Sequence, residues 1–169
     1  NIEFCPLQDK PLIALSSMGN ARGAGGLDIM SYRFNDNGEC ATTHLGAASP
    51  RVGQGSNSDG TVWSIRWSES LSVAMGVSRS SRAKVCALRE DGISASTLPA
   101  FPSDIFALSF CNDDNVLLNG ARNGCIYAID VRSSRRKYTL SGKLAGGSVR
   151  DVESLDDFLA LGLVGEDIV

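Results

Sequence analysis

Residues 117–132 read LLNGARNGCIYAIDVR, two short apolar runs joined by a polar turn and closed by Asp-Val-Arg. Asn123-Gly124 predicts a tight hairpin turn, because both residue types tolerate the positive φ values that such a turn requires. The β-rich run Ile126–Val131 follows, broken only by Asp130 near its end. Since another apolar run, Ile105–Phe110, precedes the hairpin, the stretch predicts three consecutive strands of one antiparallel sheet.

Composition limits the classes of protein to which this chain can belong. With 169 residues, 43% hydrophobic and 21% charged, the chain is long enough to bury a core and is not typical of a disordered protein. The net charge of −3 and a single short basic cluster (Arg132, Arg135, Arg136 and Lys137) do not indicate a nucleic-acid surface. No apolar run approaches the roughly 18 residues of a membrane helix. We therefore predict protein partners, with neither nucleic acid nor membrane.

The cysteines favour a reducing compartment. There are five of them, an odd number, at wide spacings and without a C-x-x-C pair. This pattern is typical of reduced thiols that pack as small apolar groups, as in proteins of the nucleus or the cytoplasm.

An internal repeat determines the predicted architecture. Two apolar triplets lie 43 residues apart, two glycines lie 44 apart, and a third copy of the apolar pattern begins 44 residues further on. Four predicted strands in each 40–45 residues is the period of WD-repeat β-propeller blades. The residues concerned are Val62, Ile65 and Trp67 with Ile105, Leu108 and Phe110, then Gly76 with Gly120, and then Val149 with Val152.

The repeat divides the chain into units, each predicted to form one blade. We predict a degenerate blade over 1–45, an inserted loop over 46–60, two blades over 61–101 and 102–145, and the start of another over 146–169. The fold class is thus all-β, an incomplete WD-repeat propeller of about three to four blades with four antiparallel strands each. A β-sandwich with a similar number of strands is the alternative. Because a closed propeller of this type usually has more blades, the chain is expected to be a piece of a longer protein.

The hairpin also resembles a known family. Gly120-Ala121, the turn residue Asn123, the apolar Ile126 and the closing Asp130-Val131-Arg132 fall where the WD-repeat signature ending in Trp-Asp-x-Arg places them. That signature is typical of substrate receptors of cullin-four RING ubiquitin ligases. Over roughly residues 60–160 the sequence is most similar to the DDB- and cullin-associated factor four family. The resemblance implies a substrate receptor, located in the nucleus or the cytoplasm, that binds the damage-specific DNA-binding protein adaptor and an unknown substrate protein.

The resemblance assigns Arg132 to the adaptor contact, with Asp130 orienting it through a charge-assisted hydrogen bond. Two departures from the signature weaken the polar network of the blade: Ile129 stands in place of the Trp, and Asn123 replaces the usual turn Asp. The alternative is that Asp130 and Arg132 only tie the rim of a blade together.

Catalytic patterns are missing from the sequence. His44 is the single histidine, and no second group in the sequence marks it as a general base. We find no nucleophile elbow, zinc pattern or phosphate-binding loop, and so predict no cofactor, no metal and no enzymatic activity. The predicted function is a protein interaction scaffold of a ubiquitin ligase. The alternatives are a WD-repeat scaffold of another assembly, such as RNA processing or trafficking, and an enzyme built on a propeller.

Overall fold

The chain is all-β throughout the part that the structure describes. The structure is a computed structural model and describes residues 1–7, 9–17, 26–49, 62–70, 72–77, 81–111, 114–133, 135–139, 147–155 and 158–164. These ranges contain fourteen strands and no helix, and every strand pair is antiparallel. The predicted all-β class with antiparallel strands is therefore confirmed.

The strands form four sheets, and within each sheet neighbouring strands follow one another along the chain. The first sheet contains β1 (Ile2–Phe4), β2 (Leu12–Ser16), β3 (Leu27–Phe34) and β4 (Cys40–Ala48). The second contains β5 (Val62–Trp67), β6 (Ser72–Val77), β7 (Arg82–Arg89) and β8 (Gly92–Thr97). The third contains β9 (Ile105–Cys111), β10 (Val116–Ala121), β11 (Ile126–Asp130) and β12 (Arg135–Thr139). The fourth contains β13 (Ser148–Leu155) and β14 (Phe158–Val164).

Successive sheets pack face to face, and an apolar layer fills each gap. Between the first and second sheets, Leu27 and Ile29 meet Ile65 and Trp67. The layer between the second and third sheets includes Leu98, Ile105, Leu108, Leu117 and Ile129. Between the third and fourth, Ala107, Leu118 and Ala128 pack with Val152. The second and third sheets are thus covered on both faces, which explains why their strands carry apolar residues in nearly continuous runs.

The contact between the third and fourth sheets is close at one glycine. A Cβ atom on Gly120 would lie 2.6 Å from Cγ1 of Val149 and 3.1 Å from Cβ of Ala107. At Gly76, the equivalent position of the second sheet, the nearest atoms to such a Cβ are 3.6 Å away, on Ile105. The two glycines align in the sequence repeat, but only Gly120 is required by the packing.

The turn at Asn123-Gly124 differs from the predicted one. Gly124 has φ +78°, whereas Asn123 is not among the described residues with positive φ. The N–H of Gly124 donates to the carbonyl of Ala121 at 3.1 Å, and the N–H of Ala121 donates to the carbonyl of Cys125 at 3.0 Å. The loop therefore has three residues, a type I turn followed by a left-handed glycine, so only the glycine needs the positive φ that we predicted for both.

The first sheet differs from the sequence-based expectation at two places. Strand β1 was not predicted, because three residues are too short to show a periodicity. Strand β4 continues through residues 46–48, which we assigned to the inserted loop; Gly46 and Ala48 pair with Ile29 and Leu27. The small residue is needed there because a Cβ on Gly46 would lie 2.9 Å from Cγ1 of Ile93. Ser49 follows the strand, and its carbonyl accepts a hydrogen bond from Lys84 Nζ at 2.7 Å. The remaining residues of the predicted loop, 50–60, and the predicted unit boundary at 145–146 lie outside the described residues.

All five cysteines are free thiols, with Cys86 buried and Cys40 exposed. Burial raises the pKa of the Cys86 thiol to about 11, so this side chain stays protonated and acts as a small apolar group in the first core layer. None of the described segments forms a helix that could cross a membrane.

Candidate functional site

Asp130 and Arg132 lie where β11 ends and the chain turns toward β12. The guanidinium of Arg132 donates to the Asp130 carboxylate, from Nε to Oδ1 and from Nη2 to Oδ2, both at 3.4 Å. The backbone N–H groups of Arg132 and Ser133 also donate to Oδ1, at 3.0 and 3.3 Å. The carboxylate thus closes the turn in the manner of an Asx turn and at the same time holds the arginine.

The two side chains differ strongly in exposure. The side chain of Asp130 is 10% exposed, whereas that of Arg132 is 66% exposed. The hydrogen bond from the Arg132 side chain is the main reason that the pKa of Asp130 falls from 3.8 to about 2. The exposed member of the ion pair is therefore the guanidinium, on a turn that is held by backbone hydrogen bonds to Asp130.

We expect Asp130→Ala to reduce stability at neutral pH and to flatten the loss of stability on acidification. Because the folded-state pKa lies below the unfolded one, ionised Asp130 stabilises the fold above about pH 5, and this contribution is lost as the pH falls from about 4 to 2. Urea titrations at a series of pH values should show the variant approaching the parent protein at low pH. Asp36→Ala, in the exposed turn after β3, is the matched control. A constant stability difference between variant and parent over the whole pH range would contradict the prediction.

The sequence departs from the WD signature at Ile129 and Asn123, and both side chains have contacts close to their own positions in the third sheet. Ile129 is fully buried in the layer between the second and third sheets, so an apolar side chain fills the space without a polar link. Asn123 accepts the N–H of Cys125 at 3.2 Å and donates to the hydroxyl of Tyr127 at 2.9 Å. Asn119 is also buried, and it donates to the carbonyl oxygens of Leu117 and Tyr127. Side-chain amides thus connect β10, β11 and the turn between them. Of the predicted basic cluster, only the Arg132 side chain falls within the described residues.

A second polar cluster joins the first strands of all four sheets at Arg66. Its Nε donates to the carbonyl of Leu108, on β9, at 3.1 Å. Its guanidinium lies 3.9 Å from the carboxylate of Glu3 on β1, and 3.6 and 3.4 Å from those of Asp151 and Glu153 on β13. One arginine therefore faces three carboxylates, and the side chain is only 32% exposed.

Glu3 is the most enclosed of these carboxylates. Burial is the main reason that the pKa of Glu3 is raised, and the neighbouring Glu153 charge acts in the same direction, against Arg66 and the N–H of Trp67. That N–H donates to Oε1 of Glu3 at 3.1 Å, and the indole Nε1 of Trp67 donates to the carbonyl of Glu3 at 3.0 Å. The short strand β1 is thus held against β5 by side-chain contacts as well as by apolar packing.

The sequence did not predict the Arg66 cluster, although the repeat contains a signal for it. Arg66 precedes Trp67, and the same alignment places Ser109 and Glu153 at the equivalent position of β9 and β13. Each sheet begins with one of these strands. Where the first strands of neighbouring sheets converge, residues at equivalent positions of the repeat lie close together. Comparing the polar residues at equivalent positions, and not only the apolar ones, would have brought Arg66 and Glu153 together.

His44 has a partner that the sequence did not reveal. Its Nε2 lies 3.1 Å from Oδ1 of Asp28, across β3 and β4 of the first sheet, and both side chains are substantially exposed. In the described parts of the chain, no group of three or more His, Cys, Asp or Glu side chains is arranged to hold a metal ion. The structure thus places the two predicted partner-binding residues, Asp130 and Arg132, in contact with each other at one turn.

Comparison with known proteins supports the fold alone. No family model matches the sequence, and no curated protein matches it. Among solved structures, the chain is similar to the crystal structure of the computationally designed Ika4 protein, with a TM-score of 0.62 and 16% sequence identity. The match covers 91% of this chain and 80% of that one. The arrangement of antiparallel sheets is therefore one that a solved protein also adopts.

Proposed function

We propose that this chain forms part of a WD-repeat β-propeller and acts as a protein interaction scaffold, the substrate receptor of a cullin-four type ubiquitin ligase. The observation that supports the propeller is the stacking of up-and-down antiparallel sheets in chain order, with equivalent apolar residues 43–44 positions apart. Each sheet would be one blade, and the first strands, which meet at Arg66, would line the centre of the ring.

The observation that supports the proposed ligase function is the geometry at the end of β11. The resemblance assigns an arginine at this position to the ligase adaptor, and Arg132 is exposed while its guanidinium is held by Asp130. A pre-oriented arginine loses little conformational freedom on binding, and it can form paired hydrogen bonds with an acidic or carbonyl-rich surface. The mechanism would be positional: one surface binds the adaptor, another presents the substrate, and the chain itself performs no chemistry.

A scaffold in another assembly is the second candidate, and the turn itself favours it. Asp130 accepts the backbone N–H groups of Arg132 and Ser133, so the pair has a structural role even without an adaptor. In that case Arg132 would stabilise the turn and contact no ligase subunit. The two candidates differ in what happens when Arg132 is removed.

We expect Arg132→Ala to abolish most of the binding to the adaptor while leaving the circular-dichroism spectrum unchanged. The arginine is exposed and Asp130 keeps its backbone hydrogen bonds, so the fold should tolerate the change. Affinity for the purified adaptor, measured by surface plasmon resonance, should fall by about tenfold or more. Arg122→Ala is the matched control, since Arg122 is a similarly exposed arginine of the same sheet, 71% exposed and 3.8 Å from Asp104. Failure of the parent chain to bind the adaptor would exclude the ligase function and leave the other scaffold.

A further inference from the structure

A hydrogen bond between two turns joins the second sheet to the third. The backbone N–H of Ser70, in the turn between β5 and β6, donates to Oδ2 of Asp114 at 2.7 Å. Asp114 lies in the turn between β9 and β10. The two residues are 44 positions apart, which is the spacing of the repeat, so equivalent turns of neighbouring sheets are bonded directly to each other.

The backbone of Asp114 lies in the left-handed region, with φ +62°. Among residues that carry a side chain, Asp and Asn adopt this conformation most readily, but it is still uncommon and persists where the surrounding structure holds it. In Asp114 the side chain supplies such a contact, through its bond to Ser70. The residue thus combines the conformation of the turn with the acceptor that ties the turn to the second sheet.

The turn that contains Ser70 is closed by hydrogen bonds of its own. The N–H of Ser68 donates to the carbonyl of Ser72 at 2.8 Å, and the N–H of Ser72 donates to Oγ of Ser68 at 2.9 Å. Ser68 is buried, and its Oγ lies 3.1 Å from Oγ of Ser70. Asp114 is therefore bonded to a turn that has little freedom to move.

The turn between β9 and β10 lies against the residues that hold Arg132. The carbonyl of Asn115 accepts the N–H of Val131 at 3.1 Å, and Val116 pairs with Asp130 in the sheet. Val131 stands between Asp130 and Arg132 in the chain. A shift of this turn would therefore displace the carboxylate that binds the guanidinium.

We propose that Asp114 is a positioning residue for Arg132: its bond to Ser70 fixes the turn between β9 and β10, and this turn fixes the residues that orient the guanidinium. The second sheet thereby takes part in presenting an arginine of the third. A guanidinium that is held in place loses less conformational freedom on binding than one on a loose turn. The inference rests on the proposed function only in naming the ligase adaptor as the partner of Arg132.

The first test follows the titration of the Asp130 carboxyl by carbon NMR in the full chain, with no partner present. In Asp114→Gly the glycine accepts the left-handed φ, but the carboxylate is lost. We expect the pKa of Asp130 to rise from about 2 toward 3.8, because the hydrogen bond from Arg132 is the main cause of its low value. Loss of the Asp114 charge would by itself lower the pKa of Asp130, so a rise identifies the loosened turn.

Two control variants accompany this measurement. Asp114→Asn removes the same charge as Asp114→Gly, but it keeps an acceptor oxygen and tolerates the left-handed φ. We expect it to leave the pKa of Asp130 at the value of the parent protein or slightly below it. Asp36→Gly, in the exposed turn after β3, introduces a glycine into a turn of another sheet and should also leave that pKa unchanged. Thermal melts check that each variant is folded.

The second test measures binding to the purified adaptor by surface plasmon resonance. Asp114→Gly should weaken it about two- to tenfold, the cost of immobilising one long side chain on binding. Asp114→Asn should bind like the parent protein. If the parent does not bind the adaptor while the titration of Asp130 responds as expected, the proposed ligase function fails and the positioning role stands.

Three results would overturn the proposal. An unchanged pKa of Asp130 in Asp114→Gly would show that Arg132 keeps its place without the bond to Ser70. An equal rise of that pKa in Asp114→Gly and Asp114→Asn would show that the acceptor oxygen is not the cause. Unchanged adaptor binding by Asp114→Gly, despite a raised pKa of Asp130, would show that the orientation of Arg132 does not contribute to binding.

Discussion

Gly120→Ala is expected to destabilise the protein by about 1–3 kcal/mol, the range of overpacked cores. The new methyl group would lie 2.6 Å from Cγ1 of Val149 and 3.1 Å from Cβ of Ala107. Val149 is fully buried and β-branched, so its side chain has little freedom to move aside. The third and fourth sheets would have to separate. Chemical denaturation followed by circular dichroism measures the effect.

Gly76→Ala provides the matched control for this prediction. It occupies the equivalent position of the second sheet, but its nearest neighbours would be 3.6 Å from the new atom, an ordinary contact. We expect a change close to zero or a small stabilisation, because alanine restricts the unfolded chain. The double variant Gly120→Ala with Val149→Ala should regain part of the lost stability, since the clash is with that valine. Equal effects at the two glycines would show that sheet packing is not the cause.

Trp67→Ala is expected to cost about 3–5 kcal/mol, the usual range for removing a buried tryptophan. The indole is 4% exposed in the layer between the first and second sheets, and its N–H donates to the carbonyl of Glu3. Loss of the ring would remove apolar packing from β5 and a side-chain hydrogen bond from β1. Hydrogen exchange should show that amides of the first sheet lose the most protection.

Two further variants separate packing from hydrogen bonding at this position. Trp67→Phe keeps an aromatic ring but removes the N–H, and should cost about 1–2 kcal/mol. Phe110→Ala tests the residue that aligns with Trp67 in the third sheet; it is only partly buried, so its loss should cost less than that of Trp67. A cost for Phe110→Ala as large as for Trp67→Ala would contradict the special role that we assign to the contact with β1.

Periodicity was sufficient to predict most strands after residue 11, because alternating or continuous apolar runs and Gly-containing turns mark their limits. The predicted runs Ile105–Phe110 and Ile126–Val131 agree within a residue with β9 and β11. The exceptions have local causes. Strand β1 is too short to show a pattern, and the end of β4 is made of small residues that resemble a loop in composition but are required by the contact with Ile93.

The polar contacts were predictable only where they are local in sequence. Asp130 and Arg132 are two residues apart, and the charge-assisted hydrogen bond expected between them is present. The interactions of Arg66 with Glu3 and Glu153 join residues far apart in the chain, and those of His44 and Asp28 depend on the strand register. Such contacts arise when the sheets stack and the strands take their register. Composition and turn signals predict strands and turns, but they do not predict which side chains then meet.

The Arg66 cluster has a consequence for the order of folding. Its members come from positions 3, 66, 108, 151 and 153, so the cluster cannot be completed during synthesis until residue 153 has left the ribosome. Until then Glu3 and Arg66 have only some of their partners. Strands β1 and β5 therefore reach their final contacts only after β13 has been synthesised. Contacts that are so distant in sequence slow folding and prolong the exposure of unpaired strands. This arginine therefore joins β1 to β13, and both strands must have been synthesised before the cluster can form.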